Sequence, residues 1–229
     1  MTSAKSSRFK FIDRKKKRAL VLIPGWATDY RIFSLLDLNF NYLIPLKFWP
    51  FDFGDELLKA IGENNLKFVS LFGFSLGGFL AAEFACKYPS LIDELILVSI
   101  RKKYNKKELE KIEGYLKKNK KAYLYKFYNQ CFPNEKDAAW FKDKLLREYC
   151  RCFSLGYLIE TLNYLKNAKM NIPSLVSQNK IKIIHGELDS IAPLREAAAV
   201  KHSLPQAKLI CVKNKGHIPF LERDFAKYI

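Results

Sequence analysis

The sequence predicts an α/β fold: a mostly parallel sheet covered by helices, with a helical cap inserted in its second half. Three observations predict it. Short apolar runs suited to buried strands alternate with helical stretches from Ala19 to Ser99 and again from Ile181 to Val212, and such alternation builds a parallel sheet with helices packed on it. One of these runs, Leu66 to Phe72, feeds a Gly73-Phe74-Ser75-Leu76-Gly77 turn and then an alanine-rich helical segment. Between Lys106 and Ala168 the strand signal disappears and only helical stretches remain.

The elements follow in order. Residues 1–18 form a basic N-terminal extension that pairs as a strand around Phe9 to Ile12. Ala19 to Ile23 reads as a buried strand ending in the turn Pro24-Gly25-Trp26-Ala27-Thr28-Asp29. A short helix is expected over 30–38, a strand over Tyr42–Leu46, and a helix over Asp55–Ile61 with an acid near its N-terminus. The strand Leu66–Phe72 and the helix Gly78–Lys87 come next; Pro89 ends that helix and Leu95–Ser99 is the following strand. Helices are expected over roughly 106–118, 120–131, 137–151 and 154–167. The sheet resumes at Ile181–Ile184, with a helix over 194–202, a last strand over Ala207–Val212 and a C-terminal helix over 221–228. This divides the chain into the extension (1–18), a core (19–100 and 171–229) and a helical cap (101–170).

Composition narrows the function classes. At 229 residues the chain suits one domain with an inserted subdomain. No apolar run is long enough to span a membrane, and Ala19–Ile23 is too short for a signal-peptide core. The five cysteines have no metal-type spacing, which suits reduced thiols in a cytoplasmic protein. The net charge is +17 and it is unevenly placed. Residues 1–18 carry eight Lys/Arg against one acid, and residues 101–170 carry eighteen against eight; the rest of the chain is balanced. Such a field attracts acidic partners, or merely solvates the surface. The extension is poor in aromatics and shows no nucleic-acid motif. No nucleotide-binding glycine loop or metal site is read, and no cofactor is expected.

The Gly-x-Ser-x-Gly turn between a strand and a helix is a nucleophile elbow. Ser75 sits at its apex, and the N–H of Leu76 opens the helix, where an oxyanion can be held. A serine hydroxyl needs a base. His217 lies in Gly216-His217-Ile218-Pro219-Phe220 after the last strand, and Asp189 lies in His185-Gly186-Glu187-Leu188-Asp189 after the one before. Loops at the carboxyl ends of parallel strands share one edge, so Ser75, Asp189 and His217 are expected to converge. Glu187 and Asp52 are rival acids, and His202 reads as a solvent-facing helix residue.

These motifs, together with Leu22-Ile23-Pro24-Gly25-Trp26, resemble the α/β-hydrolase superfamily. Within it the chain is similar to the pimeloyl-[acyl-carrier protein] methyl ester esterases of biotin synthesis, through Gly25-Trp26, Phe74-Ser75-Leu76-Gly77-Gly78 and the cap. The resemblance implies a serine carboxylesterase with a Ser75–His217–Asp189 triad and an oxyanion hole from the N–H groups of Trp26 and Leu76. Trp26 and Phe74 are expected to wall the acyl pocket or to serve as ordinary packing. The Asp-x-x-Gly-x-Gly-x-Ser loop usual in such hydrolases is replaced by Lys47-Phe48-Trp49-Pro50-Phe51-Asp52-Phe53-Gly54, which suggests a trimmed, aromatic floor.

The basic cap then suggests a partner, an acidic acyl carrier protein docking on Lys117, Lys118, Lys120, Lys121, Lys142, Lys144, Arg147 and Arg151. Small esters are the other expected substrates, and a monomer is the expected state. Three alternatives stand beside this reading: a general short-chain carboxylesterase or thioesterase, a related lyase or C–C hydrolase, and a non-enzymatic basic interaction protein. The lyase or C–C hydrolase reading needs pocket arginines, for which Arg31, Arg101 and Arg195 are candidates that the sequence does not place.

Overall fold

A computed structural model describes residues 8–171, 175 and 180–229. The first seven residues of the basic extension lie outside these. Among the described residues seven strands form one sheet in the order β1-β3-β2-β4-β5-β6-β7. They are β1 (Phe9–Ile12), β2 (Ala19–Ile23), β3 (Asn41–Pro45), β4 (Val69–Phe74), β5 (Ile92–Val98), β6 (Ile181–Gly186) and β7 (Lys208–Val212). Only β1 is antiparallel, pairing Phe9 with Pro45 and Ile12 with Tyr42; every other pairing is parallel.

The strands β2 and β4 are almost wholly apolar because each is covered on both sides. All residues of β2 and β4 are buried, the pattern of strands inside a parallel sheet rather than at a half-wet surface. The edges read differently. On β7 Lys208 and Cys211 are exposed, and a lysine on an edge discourages a further strand from pairing there.

Eight of the first eighteen residues are basic, yet residues 8–18 are tied to the rest of the chain by strand pairing and ion pairs. Arg8 pairs with Asp52, Arg14 with Asp37 and Arg18 with Asp93. The Arg18 guanidinium also lies over the Phe40 ring at 4.4 Å.

Of the helices, α1 spans Phe53–Glu63 and α2 spans Leu76–Lys87, the latter packed on β4, β5 and β2. α2 is nearly all buried, which explains its alanine-rich sequence. The helical insertion contains α3 (Lys106–Gln130), α4 (Glu135–Phe141), a π turn (Lys142–Leu146), α5 (Arg147–Cys152) and α6 (Leu155–Asn167). After it, α7 (Leu194–Ser203) packs on β6 and β7. Asn119 interrupts α3 with φ −158° and ψ 89°, so α3 is two helices meeting at a kink, matching the expected break near residue 119. The Asn119 side chain accepts from the Ala122 N–H at 3.0 Å and so restarts the helix. Asn105, Asn134 and Ser154 cap α3, α4 and α6 in the same way.

Two expected helices are corrected. Over 30–38 only Tyr30–Phe33 is helical, as a single 3-10 turn. Beyond it Leu36, Leu38 and Phe40 are buried while Asp37 and Asn39 are exposed, a period of two that demands extended chain. Over 221–228 the chain makes two 3-10 turns, Pro219–Leu221 and Phe225–Tyr228. Phe225 is the one fully buried anchor of that stretch, too little to hold an α-helix against the core.

Candidate active site

The site is built at the carboxyl ends of β2, β4, β6 and β7. At the end of β4 the chain reverses into α2 through Ser75, which has φ 52° and ψ −113°. A non-glycine residue in that region stores strain, and its neighbours must over-determine it. They do. A Cβ on Gly73 would lie 2.5 Å from the Gly77 carbonyl oxygen, and one on Gly77 would overlap the Ile23 carbonyl of β2. Only glycine lets strand and helix come this close. The Ser75 N–H donates to Val98 O at 2.9 Å and Gly78 N–H donates to Ser75 O at 2.9 Å, which fixes the turn.

Ser75 Oγ lies 3.1 Å from His217 Nε2, and His217 Nδ1 lies 2.7 Å from Asp189 Oδ2. Ser75, His217 and Asp189 are buried, at 5%, 2% and 5% exposure, so their mutual interactions are little screened. Asp189 also accepts from the N–H groups of Ile191 and Ala192 at 2.9 and 2.8 Å through Oδ1. Burial pushes its carboxyl upward. The adjacent His217, with the hydrogen bonds from His185 and His217, outweighs that and holds Asp189 well below the usual carboxylate range.

The other acids stand elsewhere. Glu187 accepts from Asn214 N–H at 2.9 Å, and Asp52 is held by Arg8. His185 is fully buried, with Nε2 2.6 Å from Ala192 O and 3.3 Å from Asp189 Oδ2. It steadies the loop that carries Asp189. His202 is exposed on α7.

Above Ser75 runs the loop after β2. Gly25 is pressed against the elbow: a Cβ there would meet the Phe74 ring at 2.8 Å and Ser75 Cβ at 3.2 Å. This brings the next residue, Trp26, close to Ser75. The Leu76 N–H, first in α2, has no acceptor within its helix. Phe74 is buried between the His217 ring at 5.2 Å and the Phe220 ring at 5.0 Å, so it supports the histidine from beneath. Trp26 faces the helical insertion, donating from Nε1 to Leu158 O at 3.1 Å and packing edge-on to Phe127. The segment 47–53 is aromatic as expected and meets α6 through Trp49–Tyr157 and Phe51–Tyr164 contacts.

Two features escaped the sequence. One is Tyr104, whose hydroxyl lies 3.5 Å from Ser75 Oγ. Its position shortly after β5, at the same sheet edge as the other loops, was the available signal. The other is the C-terminal end of α3. Tyr128 donates to Ala27 O at 2.5 Å, Gln130 O accepts from Ser190 Oγ at 2.9 Å, and Cys131 O accepts from His217 N–H at 2.8 Å. A single helical turn thus touches the Trp26 loop, the Asp189 loop and the His217 loop. Tyr149 adds a bond to Asp29 Oδ1 at 2.9 Å in the first of these.

Of the eight basic residues expected to dock a partner, four are engaged within the chain. Lys117 pairs with Glu113, Lys142 with Glu135 and Lys144 with Asp143. Lys120 donates to Phe153 O at 2.7 Å. Lys118, Lys121, Arg147 and Arg151 form no ion pair among the described residues. Lys121, Lys142 and Arg147 line one groove of about 530 Å³ with Ala122, Tyr125 and Leu146. Among the described residues no helix is long and apolar enough to cross a membrane.

Comparison with known proteins agrees with this geometry. The family profile described as the alpha/beta hydrolase fold matches residues 51–145. A pimeloyl-[acyl-carrier protein] methyl ester esterase of Nitrosospira multiformis is 28% identical, with 88% of each chain covered. Lipase 3 of a Moraxella strain is 26% identical over 73% of this chain, which spans only 55% of that lipase. A thermophilic esterase from Thermogutta terrifontis superposes with a TM-score of 0.79 at 16% identity, covering 94% of this chain and 87% of the other. Fold, strand-end loops and relatives converge on one conclusion: the chain has the α/β-hydrolase fold and is similar to ester hydrolases built on it.

Proposed function

We propose that the protein is a serine carboxylesterase in which Ser75 is the nucleophile, His217 the general base and acid, and Asp189 the residue that orients His217. The carrying observation is the unbroken chain from Ser75 Oγ through His217 to Asp189, at 3.1 and 2.7 Å. Ser75 Oγ attacks the ester carbonyl while His217 Nε2 takes its proton. The ionised Asp189 stabilises the imidazolium and fixes the tautomer with Nδ1–H toward itself. The oxyanion is received by the N–H groups of Trp26 and Leu76. His217 returns the proton to the departing alkoxide and an acyl-enzyme remains. Water, deprotonated by His217, then releases the carboxylic acid and restores Ser75.

For substrate, the reading we favour is the methyl ester of a pimeloyl chain on an acyl carrier protein. It is supported by the kinship with esterases of that name and by the excess of base in residues 101–170. The groove lined by Lys121, Lys142 and Arg147 offers apolar surface flanked by cations, the complement of an acidic helix. Hydrolysis of pimeloyl-carrier-protein methyl ester is measured at low and high salt, with Ser75→Ala as control. Ser75-dependent turnover that falls steeply with salt is expected, because exposed ion pairs are screened. If short neutral esters are cleaved and the carrier-linked ester is not, the protein is a general short-chain carboxylesterase and the charge serves solvation.

A further inference from the structure

A second cationic feature lies where the helical insertion joins the core. There the chain entering the insertion and the chain leaving it run side by side. Lys103 and Lys169 face each other in an isolated antiparallel bridge, and Met170 N–H donates to Lys102 O at 2.9 Å. Like charges placed directly across such a pair repel. A cleft of about 860 Å³ opens beside them. Its charged lining comprises Arg101, Lys102, Lys103, Lys106, Lys166, Lys169 and Arg195, against only Glu108 and Glu196.

Several of these cations are already occupied. Lys102 donates to Ser203 Oγ at 2.7 Å and Lys166 pairs with Glu113. Lys103, Lys169 and Arg195 have no ion pair among the described residues. Arg101 is largely enclosed, its side chain only 11% exposed. Its nearest carboxylates, on Glu108 and Glu196, stand at 3.9 Å, too far for the bidentate contact that a guanidinium makes with a well-placed acid. Its buried Nε has no hydrogen-bond partner. A largely enclosed guanidinium left this incompletely paired is suited to an incoming anion.

Arg101 is also tied to the nucleophile. Its guanidinium lies over the Tyr104 ring at 4.7 Å, and the Tyr104 hydroxyl lies 3.5 Å from Ser75 Oγ. Tyr104 lines the cleft as well. One tyrosine side chain therefore separates the cationic cleft from the reacting centre.

We propose that this cleft is an anion subsite of the Ser75 site, and that among small esters it favours those carrying a free carboxylate, held by Arg101 with Arg195 and the Lys103–Lys169 pair behind it. With ordinary bond lengths, the distance from Ser75 past Tyr104 to Arg101 is spanned by a chain of roughly five to eight atoms. That is the size of the half-ester of a medium-chain dicarboxylic acid. A carboxylate suits the planar guanidinium fork better than a point charge does. The inference rests on Ser75 as nucleophile and is independent of carrier docking. A free half-ester puts its carboxylate in the cleft, whereas a carrier-linked chain would put a neutral thioester there.

The test compares monomethyl adipate and monomethyl suberate with methyl hexanoate and methyl octanoate, following acid release by the intact protein. The expected result is a preference for the carboxylate-bearing esters of roughly tenfold or more in kcat/KM, through a lower KM, the scale of one charge-assisted hydrogen bond. The preference should shrink in Arg101→Gln, in the exposed-site variant Arg195→Gln and in the Lys103→Gln/Lys169→Gln pair, and should weaken as salt is raised. Arg195→Gln and the lysine pair keep the test decisive if Arg101→Gln does not fold. Equal kcat/KM for charged and neutral esters in the wild-type protein overturns the subsite and leaves the hydrolase reading standing. Ester cleavage that persists in Ser75→Ala overturns the hydrolase reading, and the subsite with it.

Discussion

Replacing Tyr128 by phenylalanine tests whether the helical insertion sets the geometry of the Ser75 site. Tyr128 is 1% exposed, and its hydroxyl donates to the carbonyl of Ala27, which is fully buried and held at φ 56°. In Tyr128→Phe the ring keeps its packing against Phe127, Phe141 and Tyr149, so the substitution removes one hydrogen bond and little else. Leaving a buried carbonyl unsatisfied costs about 1–3 kcal/mol. In a chain of this length that lowers Tm by roughly 2–4 °C per kcal/mol. The second effect falls on Trp26, the neighbour of Ala27. If its N–H receives the oxyanion, losing that donor altogether would cost about 10²–10³ in kcat. A loop that is loosened, rather than lost, should lower kcat by about tenfold, with KM little changed. The assay is steady-state hydrolysis of a neutral ester beside a thermal melt. A melt shifted as expected with kcat unchanged would refute the reasoning, since the bond would then hold the insertion to the core without bearing on the chemistry.

Two further outcomes follow from the site and the insertion. Asp189→Asn should lower kcat by about 10⁴, because an amide in place of the carboxylate favours the wrong His217 tautomer; a melt alongside separates this from unfolding. Glu113 in α3 bonds Lys117 and reaches across to Lys166 in α6, and the hydrogen bonds from Lys117 and Lys166 hold its carboxyl down to about 2. A carboxylate with a lowered folded-state value stabilises above its unfolded value near 4.5 and loses that contribution as pH falls toward about 2. Wild-type protein should therefore melt slightly above Glu113→Gln at neutral pH, by well under the equivalent of about 1 kcal/mol for ion pairs at the surface. The difference should close through that acid range; a gap independent of pH would assign the effect to packing.

Much of this architecture was legible because it is local. The elbow needs glycine at 73 and 77 for contacts with backbone a few residues away or on the adjacent strand, so the motif itself carries the geometry. Asp189 and His217 each follow a short apolar run, and a parallel sheet brings such loops to one edge. The break in α3 was readable near Asn119, a residue that caps a helix better than it continues one. The 3-10 turn at Tyr30–Phe33 is shorter than the pattern predicts because the helical pattern there passes without a breaker into an alternating one. Tyr128 and Tyr149 could not be singled out by spacing. Their hydroxyls meet partners 101 and 120 residues away, and in the sequence they are two aromatics among many in a helical stretch. Arg101 and Arg195 were visible as residues but not as neighbours, since one follows β5 and the other opens α7.

The end of α3 bears on how such a protein can be rebuilt. Because Tyr128, Gln130 and Cys131 each hold a different loop of the core, the insertion is not an interchangeable lid. A chimera that borrows the helices of another hydrolase would inherit a new entrance, yet would misalign the machinery beneath it unless the turn 128–131 were kept. The half of α3 that precedes the kink at Asn119 carries none of these three bonds; it is anchored instead by buried Leu109 and Leu116 and by Glu113, which reaches Lys166 of α6. Selection for new substrates in a laboratory library would do best to keep α3 from Asn119 through Cys131 untouched, and to randomise only the exposed positions of the half before it.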